Sequence, residues 1–393
     1  MTQDPANYGG VLRLVEYIYR RAEAAGLEPT ILHYARFEKH PELHASLANL
    51  LNGELNLRPA SKEYIFNGMR AQAIGAMFPE WEPNRLHANR LWRKSLSQFD
   101  KFILITGSAQ TGLPLAELQK KFVAWVSSTV ETDRRERLSQ SRGISNWIEK
   151  VGLKSVLSYE KKVLQAASRV MAVSEDAKKH LAQIYGKEIS VWPYPIDTQK
   201  FSRAGAAVGA HHADNNHADM PHRFLFVGRA NDPRKRIELF FQACNELHRK
   251  SPNLDFVATV VSSEIPLIDN LNFKIEHLNF VSEEELINLY QNSTAFVLTS
   301  EQEGLGIAAM EAMSCGLPVI STRCGGPETF IADKITGFFV DDEPEVIANR
   351  MLQLAIDDGL QNRLGIASRE KIDGEFSQKV WNERFEDMLR NSN

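Results

Sequence analysis

Ala295-Phe296-Val297-Leu298-Thr299-Ser300-Glu301-Gln302-Glu303-Gly304-Leu305-Gly306 runs straight into Ile307-Ala308-Ala309-Met310-Glu311-Ala312-Met313-Ser314. A short apolar run stops at a polar, glycine-bearing loop, and the loop stops at a segment of good helix formers. This is the strand, loop and helix of one βα unit. The glycines let backbone approach a ligand, and the helix start at Gly306 presents free N–H groups suited to an anion. Glu303 and Glu311 lie eight residues apart, one in the loop and one about a turn inside the helix, so both can address one crevice. Acidic side chains suit a phosphate badly but accept hydrogen bonds from hydroxyls well. The competing reading makes Glu301 and Glu303 simple partners of the helix dipole.

The pattern repeats outward from this unit. In the second half, strands are expected at Phe224–Val227, Asp255–Val261, Ala295–Thr299 and Val319–Ser321. In the first half they are expected at Thr30–Tyr34, Phe102–Thr106, Phe122–Ser127, Val170–Val173 and Ile189–Trp192. Short strands alternating with amphipathic segments mean mostly parallel sheets, and such open sheets take ligands outside the carboxyl ends of their strands. Two further loops at such ends carry candidate residues. Phe224-Leu225-Phe226-Val227 leads into Gly228-Arg229, with Lys235 six residues after Arg229. A strand that stops at glycine and releases two cations can clamp a diphosphate, but an ordinary solvated basic turn of Arg229, Arg234, Lys235 and Arg236 gives the same spacing. The other loop, Thr322-Arg323-Cys324-Gly325-Gly326-Pro327-Glu328, reads equally as a ligand loop or a tight turn with Pro327 opening a short helix.

Composition bounds the rest. A chain of 393 residues, 43% hydrophobic and 24% charged, fits a soluble globular protein of two or three domains. The expected division is an acceptor-side Rossmann-like domain over 1–192, a linker over 193–203, a mobile loop over 204–220, a donor domain over 221–375 and a final helix over 376–393. Pro193-Tyr194-Pro195 stiffens the linker, and the histidines of the loop, His211, His212 and His217, are expected to be solvated rather than metal-binding. A net charge of −4 supplies no general attraction to nucleic acid, so no nucleic-acid partner is expected. Cys244, Cys315 and Cys324 match neither a zinc cluster nor a disulfide framework and read as reduced, buried thiols. The opening ten residues lack a signal-peptide pattern and no run of 18 apolar residues occurs, so a cytoplasmic location is expected. Ile144, Trp147, Ile148 and Val151 fall on one helical face after Arg134, Arg135, Arg137 and Arg142. Core packing, an acceptor-site wall and peripheral contact with the inner face of the cell membrane are the readings of that face.

Gly228, Arg229 and Lys235, the Glu303-x7-Glu311 pair and Gly325-Gly326 together resemble the retaining glycosyltransferases of family 4, which have the GT-B fold of two facing Rossmann-like domains with a cleft between them. The resemblance is strong over Phe224–Val340 and extends more faintly to Tyr8; Ala172-Val173-Ser174 and Pro193-Tyr194-Pro195-Ile196-Asp197 also look like that family's passage out of its first domain. It implies that Arg229 and Lys235 hold a donor diphosphate, Glu311 the ribose and Glu303 the transferred sugar. Gly10, Gly228, Gly304, Leu305 and Gly306 complete the implied donor set, and the final helix crosses back onto the first domain. Glu303, Arg229 and Lys235 are the residues implied to act in the reaction. No Asp-x-Asp metal motif occurs, so no metal or other cofactor is expected: the two cations and the helix start at Gly306 would stabilise the leaving diphosphate. The implied partners are a UDP- or GDP-linked sugar and a glycan, lipid-linked or glycoconjugate acceptor, or in a variant a small soluble sugar, in cell-surface polysaccharide or glycoconjugate biosynthesis. The competing function is a non-catalytic GT-B protein that binds a nucleotide-sugar.

Two departures from the family pattern lie in the first half. The histidine that members commonly carry after a mid-domain strand is replaced by Ser128-Thr129-Val130-Glu131-Thr132-Asp133, where Glu131 and Asp133 read as helix-start acids or as substitutes for it. His33, His40, His44 and His87 read as packing or surface residues. The family's central first strand, before a glycine loop, has only Met1–Ala6 to form it here, ahead of Asn7-Tyr8-Gly9-Gly10 and the helical stretch Val11–Ala25. Those six residues are polar and include Pro5; they are expected to leave the slot empty, with a short apolar strand expected upstream.

Overall fold

The computed structural model describes residues 1–2, 10–47, 58–134, 144–203, 221–266 and 271–390. The chain divides into two compact units, Met1–Trp192 and Pro193–Asn393. The loop over 204–220, its three histidines, Gly9, Arg135, Arg137 and Arg142 lie outside the described residues.

In the first unit a parallel ladder joins β4 (Phe102–Thr106), β5 (Phe122–Val126), β6 (Arg169–Ala172) and β7 (Ser190–Val191), in that order. Three more strands pair as β1 (Ile31–Tyr34), β3 (Met69–Ile74) and β2 (Ser61–Phe66), with β2 antiparallel. Neither β2 nor β3 is among the expected strands. Asn67 and Gly68, at φ +48° and +75°, form the two-residue turn between them, and an Asn-Gly pair flanked by strand formers is the sequence signal for such a hairpin.

The first-strand slot is not empty. Thr2 bridges His33 of β1 and Ile105 of β4, both in parallel fashion. The Met1 amine donates to the Ile103 carbonyl (2.7 Å), Thr2 N–H to Leu32 (3.1 Å), and Ile105 N–H to Met1 (2.9 Å). The expectation that these opening residues leave the slot unfilled is corrected at this point. The pairing of Met1 and Thr2 uses backbone groups, which polar residues supply as well as apolar ones.

In the second unit six parallel strands are ordered β10-β9-β8-β11-β12-β13: Lys274–Leu278, Phe256–Val261, His222–Val227, Ala295–Leu298, Val319–Thr322 and Gly337–Val340. The edge strands β10 and β13 are additions to the expected set. From β8 the chain winds one way through β9 and β10, and from β11 the other way through β12 and β13. The direction reverses between β8 and β11, and that reversal is where open sheets of this kind bind ligands.

Helix Ile307–Ser314 matches the expected range; residues Ala309 to Ser314 are all buried, Glu311 among them. Its alanines allow close approach to the sheet, and a helix apolar all round must be interior. Helix Glu283–Gln291 begins with a Ser282–Glu285 capping box. Helix Glu175–Tyr185 runs from a Ser174 cap to Gly186 at φ +69°. The linker is woven into the second unit: Ile196 N–H donates to Phe376 (2.8 Å) and Gln378 N–H, at the start of helix Gln378–Arg390, to Ile196 (3.0 Å).

Candidate functional site

Three neighbouring strands, β8, β11 and β12, release their loops at the same sheet edge, and backbone hydrogen bonds tie these loops together. Glu301 N–H donates to the Arg234 carbonyl (2.8 Å), which joins the loop after β11 to the one after β8. The Thr299 hydroxyl donates to the Lys235 and Arg236 carbonyls at 3.1 and 3.0 Å. On the other side Glu303 N–H donates to Cys324 (2.7 Å) and Gly326 N–H to Glu303 (2.9 Å). Gly326 is required by packing: a Cβ there would lie 2.4 Å from Leu305 Cα. Gly306, at φ +90°, turns the chain into the helix, a conformation that favours glycine. Nothing in the fold demands glycine at Gly228, where an added Cβ would meet its nearest neighbour at 3.6 Å.

The four cations after β8 divide by role. Lys235 Nζ contacts Glu303 Oε1 at 2.5 Å, and the Ser300 hydroxyl donates to that oxygen at 2.7 Å. Arg236 sits in the left-handed region at φ +46°, a costly conformation for a side chain. Its guanidinium compensates by donating to the Thr299 and Ser300 carbonyls and to both oxygens of Asp342. Arg234 is clamped on Asp232 through Nε and Nη2. Arg229 reaches the same carboxylate at 3.0 Å with its side chain 64% exposed. Burial alone would raise the Asp232 carboxyl, but the hydrogen bond and charge of Arg234 and the charge of Arg229 together hold it below its ordinary value. The four cations thus differ: Arg234 and Arg236 hold the loops, Arg229 is exposed, and Lys235 meets the acidic loop.

Glu303 and Glu311 differ more than their shared motif suggests. Glu303 is partly open at the loop surface, whereas Glu311 is 2% exposed and accepts from the Tyr290 hydroxyl at 3.2 Å. Tyr290 comes from helix Glu283–Gln291, and sequence reading gave no sign of it. Asp342 was missed because its partner Arg236 lies 106 residues away, whereas Asp232 was missed although its partners Arg229 and Arg234 are local. The cysteines are free and buried; burial pushes the Cys315 thiol up to about 12, so it is no nucleophile at neutral pH.

In the first unit Gly10 is the first residue of helix Gly10–Ala24. After β5 a helical turn starts at Val130, with the Thr129 hydroxyl accepting from Thr132 N–H at 3.2 Å, while Glu131 and Asp133 are exposed in that turn. The unexpected feature is Glu160, fully buried on helix Ile144–Ala166. Its carboxyl accepts from Val130 N–H (3.0 and 3.2 Å) and from Ala109 N–H (3.4 Å), so one side chain pins the loops after both β4 and β5. Burial pushes that carboxyl up to about 7 against the pull of those two N–H groups. The histidines take packing roles: His33 bonds Tyr64, His44 accepts from Ala76 N–H, and His87 lies between Glu117 and Tyr159. Among the described residues no helix is long and apolar enough to cross a membrane.

Comparison with known proteins gives the family and the fold. The family described as Glycosyltransferase Family 4 matches residues 8–200, and the one described as Glycosyl transferases group 1 matches residues 208–371. A D-inositol 3-phosphate glycosyltransferase of Paenarthrobacter aurescens is 29% identical over 199 residues, 46% of this chain and 47% of the relative. An N-acetyl-alpha-D-glucosaminyl L-malate synthase of Bacillus anthracis is 30% identical over 118 residues, 30% of this chain and 31% of the relative. The chain thus spans about half or less of the length of the curated relatives it matches. Among solved structures, sucrose-phosphate synthase of Thermosynechococcus elongatus is similar with a TM-score of 0.70 at 18% identity, covering 99% of this chain and 97% of that one. Anabaena HepE in complex with UDP and glucose is similar with a TM-score of 0.66 at 15% identity, covering 99% and 98%. At such identities the likeness is one of fold, and the fold is GT-B. The chain belongs to the family 4, or group 1, glycosyltransferases.

Proposed function

We propose that the chain transfers a hexosyl unit from a UDP- or GDP-linked sugar to a glycan, glycolipid or other hydroxyl acceptor, with retention of anomeric configuration and without a metal. The observation that carries this reading is the meeting of Lys235 and Glu303, beside the helix start at Gly306, where the sheet reverses direction between β8 and β11. Lys235 and the amides of the helix start supply positive potential to a leaving diphosphate, and Arg229, exposed at the rim, adds to it. Glu303 accepts hydrogen bonds from the hydroxyls of the transferred sugar, and Glu311 from the ribose once the nucleotide is in place. Departure of the diphosphate from the sugar face that the acceptor hydroxyl enters leaves the leaving phosphate as the group nearest that hydroxyl's proton.

The test is release of nucleoside diphosphate on adding acceptor, run with UDP-sugars first because HepE, of the same fold, holds UDP. The relatives are a D-inositol 3-phosphate glycosyltransferase and an N-acetyl-alpha-D-glucosaminyl L-malate synthase, which makes small soluble hydroxyl compounds the first acceptors to try. Binding without release in every acceptor class would leave a nucleotide-sugar-binding protein instead. A lipid-linked acceptor draws its support from the first unit, where Met77, Trp81 and Val151 are exposed and Trp81 and Pro83 lie against Gly152. Cosedimentation with anionic vesicles that is lost in Trp81→Ser supports that contact, and unchanged cosedimentation removes it.

A further inference from the structure

Among the described residues, each cation that the loop after β8 carries already has a carboxylate partner. Arg229 and Arg234 share Asp232, Arg236 holds Asp342, and Lys235 holds Glu303. In the first three pairings the carboxylate lies in the same loop, Asp232, or after β13, Asp342. The fourth joins the loops after β8 and β11: Glu303, three residues before the helix start at Gly306, sits on Lys235, and the Ser300 hydroxyl holds its oxygen in place.

We infer that Glu303 makes the site discriminate against free nucleoside diphosphate in favour of the sugar-linked donor, by competing with phosphate for Lys235. This rests on the donor-site reading given above. A free diphosphate brings a terminal phosphate with one more ionisable oxygen than the sugar diester. It must draw Lys235 off Glu303 and then sit beside a carboxylate that has lost its partner, with like charges at close range. The sugar-linked donor carries less charge at that phosphate. Its sugar hydroxyls donate to the Glu303 oxygens and replace the lysine contact. The same residue that accepts the sugar therefore speeds release of the product once the sugar has left.

The consequence runs against the usual expectation for a residue in a binding site, since removing it strengthens one ligand. Calorimetry with UDP, GDP and ADP on the full chain identifies the diphosphate that binds. For that diphosphate Glu303→Gln should bind about tenfold more tightly than the wild type. The matching UDP-, GDP- or ADP-hexose should gain less than threefold or lose affinity. The gain should shrink in a Lys235→Ala background, where there is no lysine to release and only the repulsion between phosphate and carboxylate remains to be relieved. Glu303→Asp, whose charge is withdrawn by one methylene, should give a smaller gain in the same direction and serves as the second variant if the first melts without cooperativity. Unchanged or weaker diphosphate binding in Glu303→Gln overturns the inference while leaving the donor site standing. An equal gain in the Lys235→Ala background overturns the lysine competition. A wild type that binds none of the three diphosphates overturns the donor-site reading and the inference with it.

Discussion

The two units present the same architectural feature, loops at the carboxyl edge of a parallel sheet, and hold it by opposite means. In the first unit the loops after β4 and β5 are pinned by one buried carboxyl, Glu160, on backbone N–H groups, with the hydroxyls of Thr106, Thr111, Thr129 and Thr132 bonding locally. In the second unit the loop after β8 is joined by ion pairs to the loops after β11 (Lys235 to Glu303) and β13 (Arg236 to Asp342), and backbone hydrogen bonds tie in the loop after β12. The first arrangement rests on largely buried, mutually paired hydroxyls and one buried carboxyl, and no cation takes part in these bonds. The second offers cations whose partners can be exchanged, and suits an anion. The chemistry is set by which side chains hold the loops, the fold being common to both.

The sharpest way to break this contrast is at Lys235. Replacing it by alanine should weaken binding of the nucleoside diphosphate by about 2–5 kcal/mol and lower the melting temperature as well, because the mostly buried Glu303 loses its cation. Unchanged affinity by calorimetry would remove the anion from this edge.

Next comes Glu160, through pH. Its carboxyl has an ordinary value of 4.5 and is pushed up to about 7 by burial, so folding takes up a proton between those values. The stability it contributes is fully present below about pH 4.5 and is lost as pH rises through about 7, on the order of 3 kcal/mol in all. Wild-type stability measured in urea should therefore decline relative to Glu160→Gln between pH 5 and pH 8. A constant difference between the two proteins over that range would mean that the carboxyl does not titrate where its surroundings put it.

Gly326 tests the packing of the second edge. An alanine there meets the Leu305 backbone, and relieving that contact should cost about 1–3 kcal/mol of stability and loosen diphosphate binding as well. Arg229→Ala should have the smallest effect, about 1.5 kcal/mol in binding and nothing measurable in stability, since its side chain is exposed. Equal losses in Arg229→Ala and Lys235→Ala would mean that the rim cation is drawn fully into the bound state.

What the sequence made legible followed local rules. The βα unit at Ala295–Ser314, the helix range Ile307–Ser314 and the glycine turns were readable because period and glycine placement are local signals. The Asn67-Gly68 hairpin was equally local and was missed, because no alternation marks Ser61–Phe66 as strongly as its turn does. The residues that hold the loops were illegible for a physical reason. Glu160 acts on amides 30 and 51 residues away, and Arg236 on a carboxylate 106 away. Nothing in either residue's neighbourhood encodes the partner. Thr2 was misjudged differently: strand propensity was applied to a residue whose backbone pairs on both sides whatever its side chain.

Hydrogen–deuterium exchange, with and without saturating nucleoside diphosphate, compares the two edges in one measurement. UDP, GDP and ADP are run in parallel, so that an unsuitable base does not decide the result. If the second unit holds the diphosphate, new protection appears over residues 228–236 and 299–307, while residues 107–112 and 127–134 exchange as before. Protection confined to the first unit's loops, or none with any of the three nucleotides, would contradict the account.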